Sequence, residues 1–327
     1  MRILFAGSPG IAVPALESVF DLSGSAEGFE LAGLLTNPDS PKGRSGTAEP
    51  TETGAAAERL STLAITKGKP PLPILKPEKL DAQAREQAAA LKPELLVSFA
   101  YGKIFGPKFL ALFPLGGINI HPSLLPQYRG PTPIPAAIKN GDHETGISIQ
   151  RLALEMDSGD ILLQERMSLN GRETAASLSG RMAEKAAELL LLALQGLAAG
   201  TLRPSPQNHA DASYCSLIKK EDGIIDWTRS AAEIDAGIRA FDPWPLSWTM
   251  HGDQQLIILK AAPLDGAGIE GSAVPGRVLG IDKEKGILIQ TGNGVLAVTE
   301  LQYRTKKPLE WRAFINGARN FLSSRLG

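Results

Sequence analysis

The feature that most constrains the fold is a regular alternation of short apolar runs with helical segments over the first hundred residues. The apolar runs cover residues 2–6, 29–36, 72–75 and 94–100. Between them, residues 12–20, 55–66 and 77–91 have a helical period or a helical composition. Strands that alternate with helices form a right-handed, doubly wound, mostly parallel sheet. We therefore predict an α/β domain that binds its ligands beyond the carboxyl ends of the strands.

The second part of the chain has a different pattern. Two closely spaced prolines, Pro204 and Pro206, are typical of a linker between domains. Short alternating runs separated by glycine-containing turns follow at residues 255–261, 276–281, 286–291 and 294–302, which is typical of a small β-barrel. The predicted domains are residues 1–203 and 208–327, and a chain of 327 residues is long enough for two cores.

Composition excludes several classes of protein. Hydrophobic residues make up 43% and charged residues 21%, which is ordinary for a globular protein. The net charge is −1, so a polyanion must be met by a local patch and not by bulk charge. The single cysteine, Cys215, excludes an intrachain disulfide and a cysteine zinc cluster. The sequence shows neither a signal-peptide core nor an apolar run that spans a bilayer, so we predict a cytoplasmic protein.

The polar residues with most potential for catalysis lie between residues 119 and 161. Asn119 and His121 are two residues apart, so on a strand both side chains leave the same face. Asp157 follows the next apolar run, and a parallel or hairpin return of the chain brings it alongside. An amide, an imidazole and a carboxylate together can bind a developing oxyanion and move a proton. The same spacing equally fits a polar cluster that caps the turn at the end of a strand.

Two segments carry basic residues that could contact phosphate. The first is a long polar loop, residues 37–53, which holds Lys42 and Arg44 but also Glu49 and Glu52. Loops of this length are often functional, and a surface insertion is the alternative. The second is the tail, which contains Arg304, Lys306, Lys307, Arg312, Arg319 and Arg325 against only Glu310. On a barrel this tail would make a face that binds a nucleic-acid backbone, whereas a loose charge run of this kind also fits a solvated helix.

Several motifs in this chain resemble those of a known family. They are Asn119-Ile120-His121, Ser123-Leu124-Leu125-Pro126, Arg129-Gly130, Thr145-Gly146 and Asp157-Ser158-Gly159-Asp160. Together they are similar to the signature of the folate-dependent formyltransferases. Ile225-Asp226-Trp227 and the run from Arg239 to Pro245 narrow the resemblance to the branch that modifies tRNA. Nearly the whole chain resembles the methionyl-tRNA formyltransferase family.

The resemblance implies a fold, a reaction and a set of site residues. The fold is a Rossmann-like catalytic domain joined to an OB-like β-barrel. The reaction transfers the formyl group of 10-formyltetrahydrofolate, without a metal, to the α-amino group of methionine on initiator tRNA. Asn119 and a protonated His121 would donate to the formyl oxygen, while Asp157 would keep His121 charged and help to remove the amine proton. The folate pocket would be shaped by Ser123, Leu124, Leu125 and Pro126.

The tRNA contacts that we predict are Lys42, Arg44, Lys220, Lys306 and Lys307. One departure from the family bears on them, because Thr47-Ala48-Glu49-Pro50 replaces the more basic stretch that usually follows Arg44. Nothing in the sequence demands more than a monomer, and we predict a monomer. The alternatives are a formyltransferase of purine synthesis, one that acts on an amino-sugar nucleotide, and a catalytically silent module that binds folate or RNA.

Overall fold

The computed structural model describes residues 1–23, 28–41, 46–264, 274–318 and 320–327. In these residues the strands are β1 (Arg2–Gly7), β2 (Glu30–Leu35), β3 (Ser40–Pro41), β4 (Ala48–Glu49), β5 (Ile74–Leu75), β6 (Leu95–Phe99), β7 (Gly117–His121), β8 (Glu144–Arg151), β9 (Ile161–Ser168), β10 (Ser247–His251), β11 (Gln254–Leu264), β12 (Val278–Asp282), β13 (Gly286–Gln290), β14 (Val295–Tyr303) and β15 (Leu309–Glu310). The α-helices are α1 (Val13–Leu22), α2 (Glu52–Thr66), α3 (Ala82–Ala90), α4 (Pro107–Leu110), α5 (Pro133–Lys139), α6 (Ala175–Ala198), α7 (Ala231–Ala240) and α8 (Trp311–Gly317).

The chain forms two compact units. The first comprises Met1–Pro133, Glu144–Ser168 and Ser179–Ser216. The second comprises Ile134–His143, Leu169–Leu178 and Leu217–Gly327. Each unit therefore draws on separate stretches of sequence, and the domain boundaries at residues 203 and 208 stay a prediction.

The first unit is built on a mixed sheet with the strand order β5-β2-β1-β6-β7-β8-β9. The strands from β5 to β7 pair in parallel, whereas β8 and β9 are antiparallel to their neighbours. The structure confirms the predicted α/β class and the mostly parallel sheet. The apolar run before Asp157 is β8, and β8 and β9 form the hairpin that the sequence left open as one of two ways to return.

Helix starts in the first unit follow from side-chain caps. Helix α2 begins at Glu52, three residues before the predicted start, because the Thr51 hydroxyl accepts a hydrogen bond from the Gly54 N–H. Helix α3 begins at Ala82, later than predicted, because the Asp81 side chain accepts from the Ala84 N–H. Propensity alone does not locate these ends, since the cap residue determines where the helix begins.

The core of the first unit contains a column of aromatic rings beside the sheet. Tyr101, Phe105, Phe109 and Phe113 stack in sequence with ring centroids 5.5, 5.5 and 5.7 Å apart. They pack against buried residues of β1, β2 and β6. Burial raises the pKa of Tyr101 to about 12, so its hydroxyl stays protonated. This core supports the strand ends from which the polar residues project.

The second unit contains an antiparallel sheet with the order β10-β11-β14-β13-β12, and β15 pairs with β14. Helix α7, which begins with a capping box of Ser230 and Glu233, packs on this sheet. Trp227, Ile234 and Trp311 lie in the shared core. The structure confirms a second domain of β-strands, and these strands pair in an antiparallel sheet. In the described residues the sheet runs from β10 at one edge to β12 at the other, and these two strands do not pair with each other.

The segment that we interpreted as a linker packs on the first unit. Ser205 and Ile161 exchange backbone hydrogen bonds of 2.8 and 2.9 Å. Gln207 is only 6% exposed, whereas a flexible linker would leave it in solvent. None of the helices in the described residues has the length and apolarity that crossing a bilayer requires.

Candidate active site

The polar residues predicted from sequence share one face of the sheet. Asn119 and His121 lie on β7 with one residue between them, so their side chains point to the same face of the sheet. Their cross-strand partners on β8 are Gln150 and Ser148. Residues directly opposite each other in a sheet point to the same side, so an amide pair and an imidazole–hydroxyl pair lie on this face. Strand β8 therefore contributes two polar residues that the sequence analysis did not select.

Asp157 lies in the turn between β8 and β9, which returns onto this face. Its Oδ1 accepts hydrogen bonds from Gln150 Nε2 at 3.0 Å and from Asn119 Nδ2 at 3.4 Å. Its Oδ2 accepts from the Gly130 N–H at 2.8 Å and lies 3.6 Å from His121 Nδ1. The Asp157 side chain is 12% exposed, so the carboxylate is held mainly by protein donors. The structure thus brings Asn119, His121 and Asp157 together.

His121 is almost fully buried, with 4% of its surface exposed. Its Nε2 lies 2.8 Å from the Tyr128 carbonyl, which accepts only, so Nε2 carries a proton. Burial lowers the pKa of His121, and the facing Asp157 and the Tyr128 carbonyl offset only part of that effect. The structure therefore favours a neutral imidazole with a bare Nδ1, whereas the resemblance implied a protonated one.

The turn that carries Asp157 requires a glycine. A Cβ added to Gly159 would lie 1.9 Å from the carbonyl oxygen of Arg151, far inside van der Waals contact. Asp157 itself has φ of +52°, in the left-handed region that residues with a side chain seldom adopt. The Asp157-Ser158-Gly159-Asp160 motif is thus explained by a tight turn as well as by its carboxylate.

The segment predicted to shape a folate pocket lies beside this site. Ser123 and Leu125 are buried, while Leu124 and Pro126 are partly exposed. The Leu125 N–H donates to Ser148 Oγ at 3.0 Å, and the Leu125 carbonyl accepts from Gln164 Nε2 at 2.8 Å. These internal bonds hold the segment in place. Its partly exposed apolar side chains, Leu124 and Pro126, are therefore surface that it offers to a ligand.

Comparison with known proteins identifies the family. Residues 1–194 match the family "Formyl transferase", and residues 217–319 match "Formyl transferase, C-terminal domain". A protein named methionyl-tRNA formyltransferase from Treponema denticola is 50% identical over 326 residues, which cover 98% of each chain. The chain belongs to the formyl transferase family, among the methionyl-tRNA formyltransferases.

Solved structures agree with this family at the level of the fold. Methionyl-tRNA formyltransferase from Clostridium thermocellum has a TM-score of 0.55 and 17% identity, covering 81% of this chain and 95% of that one. HypX from Aquifex aeolicus in complex with tetrahydrofolic acid has a TM-score of 0.62 and 18% identity. The match covers 98% of this chain and 48% of HypX, so this chain spans about half the length of HypX.

The predicted tRNA contacts of this formyl transferase fall into two groups. Lys42 and Arg44 lie outside the described residues. Lys220, Lys306 and Lys307 are exposed on the second unit, with Lys220 in a short 3-10 helix beside Glu221 and Asp222. Lys306 also lies over the Tyr303 ring, 6.0 Å from its centroid. Their role in binding tRNA stays a prediction.

Besides Ser148, three residues near the site were not selected from sequence. They are Gln150, Arg129 and Gln207, whose side chains form a hydrogen-bonded chain that reaches Asp157. Arg129 was noted only as part of a family motif, and Gln207 only as part of a proline-rich segment. The described residues contain no group of three or more histidine, cysteine, aspartate or glutamate residues placed to hold a metal ion.

Proposed function

We propose that this chain transfers the formyl group of 10-formyltetrahydrofolate to the α-amino group of methionine on initiator tRNA. The observation that supports this most is the convergence of Asn119, His121 and Asp157 in a chain of the methionyl-tRNA formyltransferase family. In this reaction the amine nitrogen bonds to the formyl carbon and the bond from that carbon to N10 of the folate breaks. A proton leaves the amine, and N10 gains one.

The proton steps suit a neutral His121. Its bare Nδ1 can accept the proton from the attacking amine, and Asp157 Oδ2, 3.6 Å away, then stabilises the imidazolium that forms. The Tyr128 carbonyl fixes the ring by accepting from Nε2. The imidazolium can afterwards pass the proton towards N10. His121 is therefore charged during the reaction, although burial favours the neutral form before it.

The negative charge that grows on the formyl oxygen needs a donor. Asn119 is partly exposed on the site face, and its long 3.4 Å hydrogen bond to Asp157 occupies one of two amide hydrogens. The second hydrogen is available to the oxyanion. A donor of this kind that is held in place before the reaction stabilises the transition state more than the ground state.

The residues present fit a folate. Leu124 and Pro126 offer partly exposed apolar surface next to the polar face, which suits a flat, partly apolar pterin. Ser123 and Leu125, both buried, act by holding this segment. Lys220, Lys306 and Lys307, together with Lys42 and Arg44, are proposed to contact the tRNA backbone. We further infer that the protein works in the cytoplasm as a monomer.

Formyl transfer to charged tRNA is measured directly with labelled 10-formyltetrahydrofolate and methionyl initiator tRNA. We expect label in the methionine of the tRNA and none in amino-sugar nucleotides or in glycinamide ribonucleotide. We expect His121→Ala and Asp157→Ala to lower kcat by roughly two to four orders of magnitude while tetrahydrofolate still binds. The matched control is Asp21→Ala, because Asp21 is exposed on α1. Label in a sugar nucleotide, or normal kcat in both site variants, would contradict the proposal.

A further inference from the structure

Arg129 is a buried cation in the first unit that has no carboxylate among its hydrogen-bond partners in the described residues. It is 1% exposed. Its Nε and Nη2 donate to Gln207 Oε1 at 3.1 and 2.7 Å, Nη1 donates to the Tyr214 hydroxyl at 3.3 Å, and Nη2 lies 3.2 Å from His209 Nδ1. Among the described residues, no carboxylate forms an ion pair with it. A buried arginine that uses two donors on one amide oxygen fixes that amide.

Gln207 connects this cation to the turn that carries Asp157. Its Nε2 donates to the carbonyl oxygens of Asp157 and Gly159 at 2.9 and 2.7 Å, and it lies 3.3 Å from Gln150 Oε1. The orientation of the amide is unambiguous. Arg129 can only donate, so Oε1 must face it, and the NH₂ group must face the two carbonyls.

The turn needs such support because of its backbone. Asp157 has φ of +52°, in the left-handed region that an aspartate adopts only occasionally, so contacts from its surroundings help to hold it there. Rotation of this residue back to a relaxed conformation would turn its carboxylate away from Asn119 and His121. The two bonds from Gln207 lie on either side of Ser158 and so hold the carbonyls that define the turn.

We propose that Gln207, oriented by Arg129, is a positioning residue that keeps the Asp157 carboxylate facing Asn119 and His121. This inference rests on the proposed formyl transfer. Gln207 touches no reacting atom in it and acts only through Asp157. The side chain of Gln150 also links the two residues. It accepts a hydrogen bond from Gln207 and donates one to Asp157 Oδ1, so the network reaches the carboxylate through side chains as well as through the backbone.

Gln207→Glu separates positioning from folding. The two side chains have the same size, and a glutamate would still accept from Arg129 and would pair with its charge. Its second oxygen would replace the NH₂ group, and it would repel the two carbonyls instead of donating to them. We expect a folded protein with a freed turn and a kcat lowered roughly ten- to a hundredfold, as for other small displacements of a reacting group.

The first test is a double-mutant cycle measured by formyl transfer to methionyl initiator tRNA. Gln207→Glu should lower kcat in the wild-type background, with the KM for tRNA and the Kd for tetrahydrofolate unchanged. In the Asp157→Ala background the same change should have no further effect. The matched control is Gln87→Glu, the same substitution on the exposed face of α3. An equal loss in both backgrounds, or an unchanged kcat, would overturn the proposal.

The second test does not depend on activity. Hydrogen exchange of residues 152–160, measured by mass spectrometry, should be faster in Gln207→Glu than in the wild type or in Gln87→Glu. Unchanged exchange there would overturn the positioning role, whereas a wild type without formyl transfer would overturn the proposed function alone. If Gln207→Glu folds poorly, Gln207→Met removes both donors without adding a charge and is expected to give the same result.

Discussion

At the scale of single residues, the site depends on which groups are charged. Asp157 receives three hydrogen bonds from protein donors. His121 lies beside it but is buried, and burial lowers its pKa. A neutral imidazole next to a carboxylate can take up one proton at its Nδ1 without moving any side chain. In the mechanism that we propose, the resting site therefore accepts a proton and does not donate one.

This charge state predicts how His121 titrates. In the unfolded chain a histidine has a pKa of about 6.5. Because the pKa of His121 in the folded protein is lower, the unfolded state binds the proton first as the pH falls. The free energy of unfolding should therefore decrease as the pH falls from about 6.5 through the folded-state pKa, and part of this decrease should disappear in His121→Gln.

Two measurements check this prediction. Urea denaturation between pH 5 and 8 compares the wild type with His121→Gln, with His143→Gln as the control because His143 is exposed. Some pH dependence should remain in all three proteins, since burial also lowers the pKa of His251. The proton NMR signal that is missing in His121→Gln should titrate below pH 6.5 in the wild type. A midpoint above pH 6.5 would mean that Asp157 outweighs burial.

At the scale of elements, the β8–β9 hairpin decides where Asp157 lies. The register pairs Asn119 with Gln150 and His121 with Ser148, so β8 continues the polar face that β7 begins. The turn after β8 must then pass close to the strand. The absence of a Cβ at Gly159 permits this approach to the Arg151 carbonyl. The path of the turn that carries Asp157 is therefore a consequence of sheet register and one glycine.

Two glycine substitutions should have opposite effects. Gly159→Ala places a methyl group against the Arg151 carbonyl, so we expect a loss of about 1–3 kcal/mol in stability and a lower kcat. Gly180→Ala in α6 meets nothing within 4 Å, so we expect a gain of about 0.5–1 kcal/mol with unchanged activity. Thermal unfolding and formyl transfer measure both. Equal stability changes in the two variants would contradict this account of the turn.

At the scale of the whole molecule, the net charge of −1 leaves tRNA binding to local groups. Lys220, Lys306 and Lys307 are exposed on the second unit, although two acidic residues follow Lys220 directly. The contribution that we propose for them is electrostatic, because a lysine neutralises a phosphate and releases a counterion. Such contacts would weaken as salt rises, whereas the folate site that we propose in the first unit would not depend on them.

We therefore expect Lys306→Ala and Lys307→Ala to raise the KM for methionyl initiator tRNA and to leave the KM for 10-formyltetrahydrofolate unchanged. Each lost contact should reduce the slope of log affinity against log salt concentration by roughly 0.7 to 0.9. The same measurement on Lys220→Ala tests the third contact. Lys283→Ala, in the exposed turn after β12, is the matched control. If Lys283→Ala raised the KM for tRNA as much as the other three substitutions, these lysines would act only through the total charge of the protein.

The sequence by itself determined the elements whose signals are local. The alternation of strands and helices predicted the sheet of the first unit, and the short alternating runs between residues 255 and 302 predicted the strands of the second. The spacing of Asn119 and His121 placed both side chains on one face, because a strand has a period of two residues. Asp157 was selected as a candidate third member because it follows the next apolar run, and the family motif that begins with it agrees with that choice.

Only the tertiary structure decided how these residues are held and charged. Gln207 reaches the Asp157 carbonyl across 50 residues of sequence, and the Gly130 N–H reaches the Asp157 carboxylate across 27. Such bonds depend on segments that meet only after folding, so no local pattern marks them. The lowered pKa of His121 follows from burial, which is the sum of contacts from many parts of the chain. Sequence therefore located the candidate residues of the site, and packing determined their geometry.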